Sequence, residues 1–267
     1  MNVGLIGCGA IGTLLCELIA KHVPDVQIRA VYQRTERLVT ARQALVPGVA
    51  LVDRIDRILA EDIDLVVECA GHGALREFGP SVLASGRDML IASVGAMADQ
   101  SLESQLTSAA TEGNARLRIP SGALGGLDAL GAAKMAGLSE VRYEAHKSPE
   151  AWRGTHAETL VTLDAIEKLT VVYEGNARDA ARLFPQNANV AAAIALAGVG
   201  FDRTKVVLHA DPAAIGNTHR IKADGVFGNL DVSVTGKTLP SNPKTSMLAP
   251  YSLVRAIANL EWTLVVA

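Results

Sequence analysis

Gly7, Gly9 and Gly12 stand at G-x-G-x-x-G spacing within Gly7-Cys8-Gly9-Ala10-Ile11-Gly12, a pattern that carries chemistry only between a strand and a helix. Such a turn is tight, lets backbone approach a pyrophosphate with no Cβ in the way, and opens a helix whose free N–H groups face the anion. A glycine-rich turn without a ligand is the competing reading. A second candidate is Asn217-Thr218-His219. In an extended segment Asn217 and His219 share a face, and an imidazole with an ordinary pKa of about 6.5 exchanges protons near neutrality. The same residues also read as a hydrogen-bonded histidine inside a sheet. His72, just after Glu68-Cys69-Ala70-Gly71, is the runner-up among the histidines. Third, Asn242-Pro243-Lys244-Thr245-Ser246 reads as a turn into a helix start, where Lys244, two hydroxyls and free N–H groups would cradle an anion. Plain helix capping by Thr245 or Ser246 would give the same pattern.

The elements that must position these residues follow from periodicity. Val3 to Ile6 is a short apolar strand, and Ile11, Leu14, Leu15, Leu18 and Ile19 make one face of the helix after it, which Pro24 stops. Val26 to Tyr32, Leu65 to Cys69, Met89 to Ser93 and Ala115 to Ile119 read as further strands, alternating with helices at Glu36 to Ala44, Leu75 to Ser85 and Leu102 to Glu112. Strands apolar on both faces and separated by helices predict a doubly wound parallel sheet over residues 1–120. The joint Ser121 to Gly126 opens a second α+β domain, residues 121–244. Its mixed or antiparallel sheet takes Val141 to His146, Leu160 to Leu163, Lys168 to Tyr173, Lys205 to Ala210, His219 to Ala223 and Val226 to Thr235. Helices at Ala177 to Leu183 and Asn189 to Ala197 cover one face, and a last helix from about Thr245 to Asn259 packs back on the first domain.

Within the first domain, the fingerprint residues Gly7, Gly9, Ala10, Ile11 and Gly12, with Cys69 and Ala70 at the next strand end, are the expected dinucleotide contacts. The second strand ends Tyr32-Gln33-Arg34-Thr35 with no carboxylate to repel a 2'-phosphate, and Glu36 follows too far along. Arg34 and Thr35 suit a phosphate and Gln33 a hydroxyl, so use of both NAD and NADP is expected. Arg34 as a solvated surface charge is the alternative. Glu68, a charge in an apolar strand, receives no role.

Composition narrows the function classes. The 267 residues are 49% hydrophobic and 20% charged with net charge -3, which excludes a disordered polyelectrolyte and a nucleic-acid-binding surface. The longest apolar run, Val190 to Phe201, has twelve residues, short of the roughly 18 that span a bilayer. No signal-type segment opens the chain, so a cytoplasmic location is expected. Cys8, Cys16 and Cys69 lack disulfide or zinc spacing and are expected as buried thiols; no metal is implied.

Several stretches together resemble the L-aspartate dehydrogenases that feed NAD biosynthesis. They are residues 119–128, Ala151-Trp152-Arg153-Gly154-Thr155, Phe184-Pro185-Gln186-Asn187-Ala188-Asn189-Val190-Ala191-Ala192, Asn217-Thr218-His219 and Asn242 to Ser246. The resemblance implies NAD(P)-dependent oxidation of L-aspartate to iminoaspartate, with His219 as the catalytic histidine. It places Ala123 and Asn189 against the nicotinamide nucleotide and implies a homodimer. In that setting Asn217, Lys244, Thr245 and Ser246 are the expected substrate contacts. Asn189 also reads as a helix N-cap. A homoserine dehydrogenase or dihydrodipicolinate reductase type of enzyme, or a non-catalytic NAD(P)-binding sensor, would keep the same nucleotide turn.

Overall fold

The computed structural model describes residues 1–45, 48–185, 188–240 and 242–266, and the chain divides into two compact units, Met1–Pro120 with Ala249–Ala267, and Ser121–Leu248. In the first, β1 (Asn2–Ile6), α1 (Ala10–His22), β2 (Gln27–Tyr32), α2 (Leu38–Ala44), β3 (Ala50–Val52), α3 (Ile55–Leu59), β4 (Leu65–Glu68), α4 (His72–Ala84), β5 (Asp88–Ile91), α5 (Gln100–Glu112) and β6 (Leu117–Arg118) alternate. The six strands are parallel, in the order β3-β2-β1-β4-β5-β6. That order reverses between β1 and β4, and in such sheets a ligand sits beyond the strand ends at the reversal. Val3, Leu5, Val66 and Val67 are fully buried because helices cover both faces. The short β3 and α3 carry too little periodicity to be anticipated. Helix α4 begins three residues earlier than its apolar stripe, at His72.

The second unit holds α6 (Leu127–Ala136), β7 (Leu138–Lys147), β8 (Thr170–Asn176), α7 (Ala177–Leu183), α8 (Ala188–Ala197), β9 (Lys205–Ala210), β10 (Asn217–Gly225), β11 (Gly228–Gly236), β12 (Thr238–Leu239) and β13 (Asn242–Ser246). Its main sheet runs β11-β10-β7-β9-β8, with only β7 and β9 parallel. Side chains alternate across it. Val141, Tyr143, Ala145, Ile221 and Ala223 are buried on one face, where α6 and α7 lie on the strands and α8 packs against both. The other face carries ion pairs: Glu144 with Arg142 and Lys222, at 2.9 and 3.3 Å, and Asp231 with Arg220.

Two expectations fail here. Leu160 to Leu163 is not a strand: it lies between 3-10 turns at His156–Thr159 and Leu163–Ala165, with Leu163 buried and Leu160 exposed, so no alternating face forms. The last helix, α9 (Leu248–Glu261), starts beyond Thr245 and Ser246, which belong to β13. The ladder with β12, and the bond from Met247 N to the Lys237 carbonyl at 2.9 Å, engage backbone that a helix start would leave free. Leu253, Val254, Ile257 and Ala258 of α9 join the core of the first unit with Val3, Leu5 and Leu15. No helix among the described residues is long and apolar enough to cross a membrane.

Candidate active site

The glycine turn follows directly from β1. At Gly7 the backbone takes φ of +100° and a Cβ would stand 2.7 Å from that of Ala70; at Gly12 it would stand 2.3 Å from the Gly7 carbonyl oxygen. Neither position admits a side chain. Gly9 differs, since a Cβ there would meet nothing within 4 Å. It caps α1 with no side-chain hydrogen bond, so bare backbone and the free N–H groups of Ala10, Ile11 and Gly12 form the helix mouth. This shape fits a dinucleotide pyrophosphate.

The end of β4 straps that turn. The Cys69 thiol donates to the carbonyls of Gly7 at 3.2 Å and Ile6 at 3.5 Å, and burial holds its pKa well above the ordinary value, so it stays a donor. Glu68 is fully buried. Its Oε1 accepts from Ala70 N and Gly71 N at 2.8 Å and from Ser93 Oγ at 2.9 Å, and its Oε2 accepts from Ser93 N at 3.1 Å. Burial pushes its pKa up while these donors pull it down. The residue without an expected role therefore ties the ends of β4 and β5 together. All three cysteines are free and partly buried rather than wholly so.

At the end of β2, Gln33 is buried, its Oε1 accepting from Arg34 N at 3.0 Å. Arg34 is exposed, its Nε 3.4 Å from Glu36. Residues Thr35–Arg37 form a 3-10 turn, which folds back the carboxylate that linear spacing put out of reach. Glu36 thus pairs with the guanidinium expected to meet a 2'-phosphate.

In the second unit His219 lies on β10, 7% exposed, and its Nδ1 shares a 2.8 Å hydrogen bond with the hydroxyl of fully buried Tyr143. Burial, with the positive charge of Lys147 nearby, lowers the imidazole pKa to about 3. Burial alone brings Lys147 down to about 8 and raises that of the Tyr143 hydroxyl, which stays protonated. His219 pairs with Ala145, so Tyr143 and Lys147 stand diagonally on either side of it on the same face. Asn217 shares that face by alternation. Neither Tyr143 nor Lys147 emerges from the sequence, because their alternation on β7 acquires meaning only once the register with β10 is known.

Two of the remaining candidate segments, the Ser121–Gly126 joint and β13, lie beside β11. Gly125 packs toward Val234, the β11 partner of His219, and Ala123 is buried in the same joint, where Leu124 N bonds to the Ser121 carbonyl at 3.1 Å. Ser246 Oγ lies 3.4 Å from where a Gly236 Cβ would stand, and Gly236 pairs with Asn217. Thr245 Oγ1 accepts from Asn242 Nδ2 at 2.9 Å and Ser246 Oγ from Leu248 N at 3.2 Å. With this stretch in a strand, the expected helix-start cradle does not form. The Lys244 side chain, like Gln186 and Asn187, lies outside the described residues. Asn189 is exposed at the second position of α8, so it is not the N-cap. His72 opens α4 in the first unit. Among the described residues no three His, Cys, Asp or Glu side chains gather to hold a metal ion.

Residues 7–120 match the family described as homoserine dehydrogenase, NAD binding domain, and residues 128–260 match aspartate dehydrogenase, C-terminal. The chain is 46% identical over 261 residues to an L-aspartate dehydrogenase of Ralstonia pickettii and 43% identical over 264 residues to one of Pseudomonas aeruginosa, covering 97% of each chain in both pairs. The crystal structure of aspartate dehydrogenase from Thermotoga maritima, 31% identical, superposes with a TM-score of 0.81 over 100% of this chain and 99% of that one. A Staphylococcus aureus homoserine dehydrogenase, 13% identical with a TM-score of 0.58, shares the fold alone. With an NAD-binding domain of doubly wound topology and a second unit of matching sequence and structure, the chain belongs to the L-aspartate dehydrogenase family.

Proposed function

We propose that this chain oxidises L-aspartate reversibly to iminoaspartate, which water converts to oxaloacetate and ammonia, and that it supplies iminoaspartate to NAD biosynthesis. The observation that carries the reading is the buried pair of His219 and Tyr143 on a strand face shared with Asn217 and Lys147. When bound, NAD or NADP supplies the hydride acceptor. Gly7, Gly9, Ala10, Ile11 and Gly12 would hold the pyrophosphate. Cys69 and Ala70 would line the turn, Gln33 and Arg34 would receive the ribose or its phosphate, and by the family resemblance Ala123 and Asn189 would contact the nicotinamide half.

His219 acts as the acid/base residue. In the tautomer that carries its proton on Nδ1, the ring donates to the Tyr143 oxygen, and the Nε2 lone pair takes the proton of the substrate ammonium and later activates water. An imidazole with a pKa near 3 is a weak base. Two substrate carboxylates beside it favour its charged form and raise that value toward the working range. Asn217, Thr245 and Ser246 orient the carboxylates, and the Lys244 ammonium is a further contact. The chain works in the cytoplasm as a homodimer, self-associating through the open sheet face of the second unit.

The test is absorbance at the reduced-nicotinamide band, with L-aspartate in one direction and oxaloacetate plus ammonia in the other, for wild type and His219→Ala with each dinucleotide. Turnover that collapses by about 100-fold or more in the variant is expected. Dinucleotide binding without turnover in either direction would refute the reading and favour a sensor.

A further inference from the structure

We infer that Lys147 is the cation that receives a substrate carboxylate beside His219, a specificity-determining contact in the second unit. This rests on the aspartate reading above and deepens it. Lys147 ends β7 on the face carrying Tyr143 and Ala145, and Ala145 pairs with His219. Thr218 pairs with His146, and Asn217 and Lys147 are the next residues outward on their two strands. An ammonium, a carboxamide and an imidazole thus converge on one patch. Trp152 Nε1 is anchored to the His209 carbonyl at 3.0 Å, and the Lys147 Nζ lies 5.3 Å from the centre of its ring. That contact orients the lysine stem and walls one side of the patch with apolar surface.

Among the described residues, groups that face Lys147 include the His219 imidazole and Asn217 from β10, the Tyr143 hydroxyl from its own strand, Ala210 from β9 and the Trp152 ring. Glu144 pairs with Arg142 and Lys222 on the opposite face, and Asp211 accepts from Ala213 N at 2.9 Å. A lysine whose charge is disfavoured by burial gains most from an arriving anion. A carboxylate seated there also brings negative charge to His219, which the proton transfer requires.

The test uses succinate, a dicarboxylate with no amine to oxidise, titrated calorimetrically into protein saturated with NAD. Wild type is expected to bind it, with affinity falling about tenfold per pH unit above about 8 as the ammonium deprotonates. Lys147→Met should weaken succinate by about 10–100-fold, with NAD affinity unchanged. Lys147→Arg should retain binding up to about pH 10, since a guanidinium stays charged. In parallel, KM for L-aspartate should rise in Lys147→Met by a similar factor. Wild-type succinate affinity retained in Lys147→Met, no succinate binding by wild type, or a fall in kcat with KM unchanged would each overturn the assignment. Wild-type protein that binds succinate through Lys147 yet oxidises no aspartate would instead overturn the proposed function and leave a dicarboxylate site standing.

Discussion

Acid should destabilise the second unit through His219, by an amount its burial fixes. The imidazole pKa falls from 6.5 unfolded to about 3 folded. Above pH 6.5 neither state holds the proton, so folding is unaffected. Between 6.5 and 3 the unfolded chain binds a proton that the folded one excludes, and stability is lost progressively as pH falls. At pH 5 the deficit is 1.5 units, or about 2 kcal/mol at ~1.4 kcal/mol per unit, a large share of the roughly 5–15 kcal/mol that holds a domain folded. Being 7% exposed, the group gains little from solvent screening. The comparison is wild type against His219→Gln, which cannot titrate, by urea unfolding at pH 7.5 and pH 5.0. Trp152 is buried in the second unit and Trp262 is exposed in the first, so fluorescence in a Trp262→Phe background reports the right unit. The wild-type midpoint should drop about 1 M further than that of the variant, for a slope of ~2 kcal/mol per molar. His209, whose pKa burial also lowers, is present in both proteins and cancels. Equal pH dependence in the two would refute the argument, because it would mean that His219 accepts a proton in the folded state at no cost.

In the first unit, Gly12→Ala would place a Cβ 2.3 Å from the Gly7 carbonyl; dinucleotide affinity should fall by about 100-fold and stability by ~1–3 kcal/mol, read by fluorescence titration and thermal melting. Gly9→Ala, which meets no neighbour within 4 Å, should melt as wild type does while still losing affinity, and unaltered binding in both variants would remove the turn from the site. For cofactor choice, Arg34→Ala should weaken NADP selectively by roughly 10-fold, and Glu36→Gln, which releases Arg34 from its 3.4 Å partner, should strengthen NADP relative to NAD. Equal effects on the two dinucleotides would show that neither side chain meets the 2'-position.

Much of the fold was legible because local pattern and tertiary outcome agree. The G-x-G-x-x-G run, the α1 stripe and the doubly apolar strands demand one turn, one helix and a covered parallel sheet, whatever lies elsewhere in the chain. At position 12 glycine is required by the Gly7 carbonyl five residues away, and at position 7 by a positive φ as well as by Ala70 beyond β4; the spacing itself could be read linearly. The local signals that misled are capping residues. Thr245 and Ser246 look like helix-capping residues, but β12 offers a ladder partner, and a segment with a pairing edge beside it forms hydrogen bonds there instead. Asn189 looks like an N-cap, but α8 begins one residue earlier.

By itself the sequence determined the nucleotide turn, the two-part organisation and the candidacy of His219, since each depends on neighbours within about twenty residues or on resemblance across the chain. Only the tertiary structure decided what surrounds His219. Tyr143 and Lys147 lie more than seventy residues away and meet it through strand register, which no linear spacing encodes. Glu68 acquired its place in the same way. A lone carboxylate in an apolar strand is unexplained until β5 brings Ser93 to it and the following turn aims two backbone donors at one oxygen. The chemistry of a buried polar group is set by which partners satisfy it, and those partners are assigned by packing.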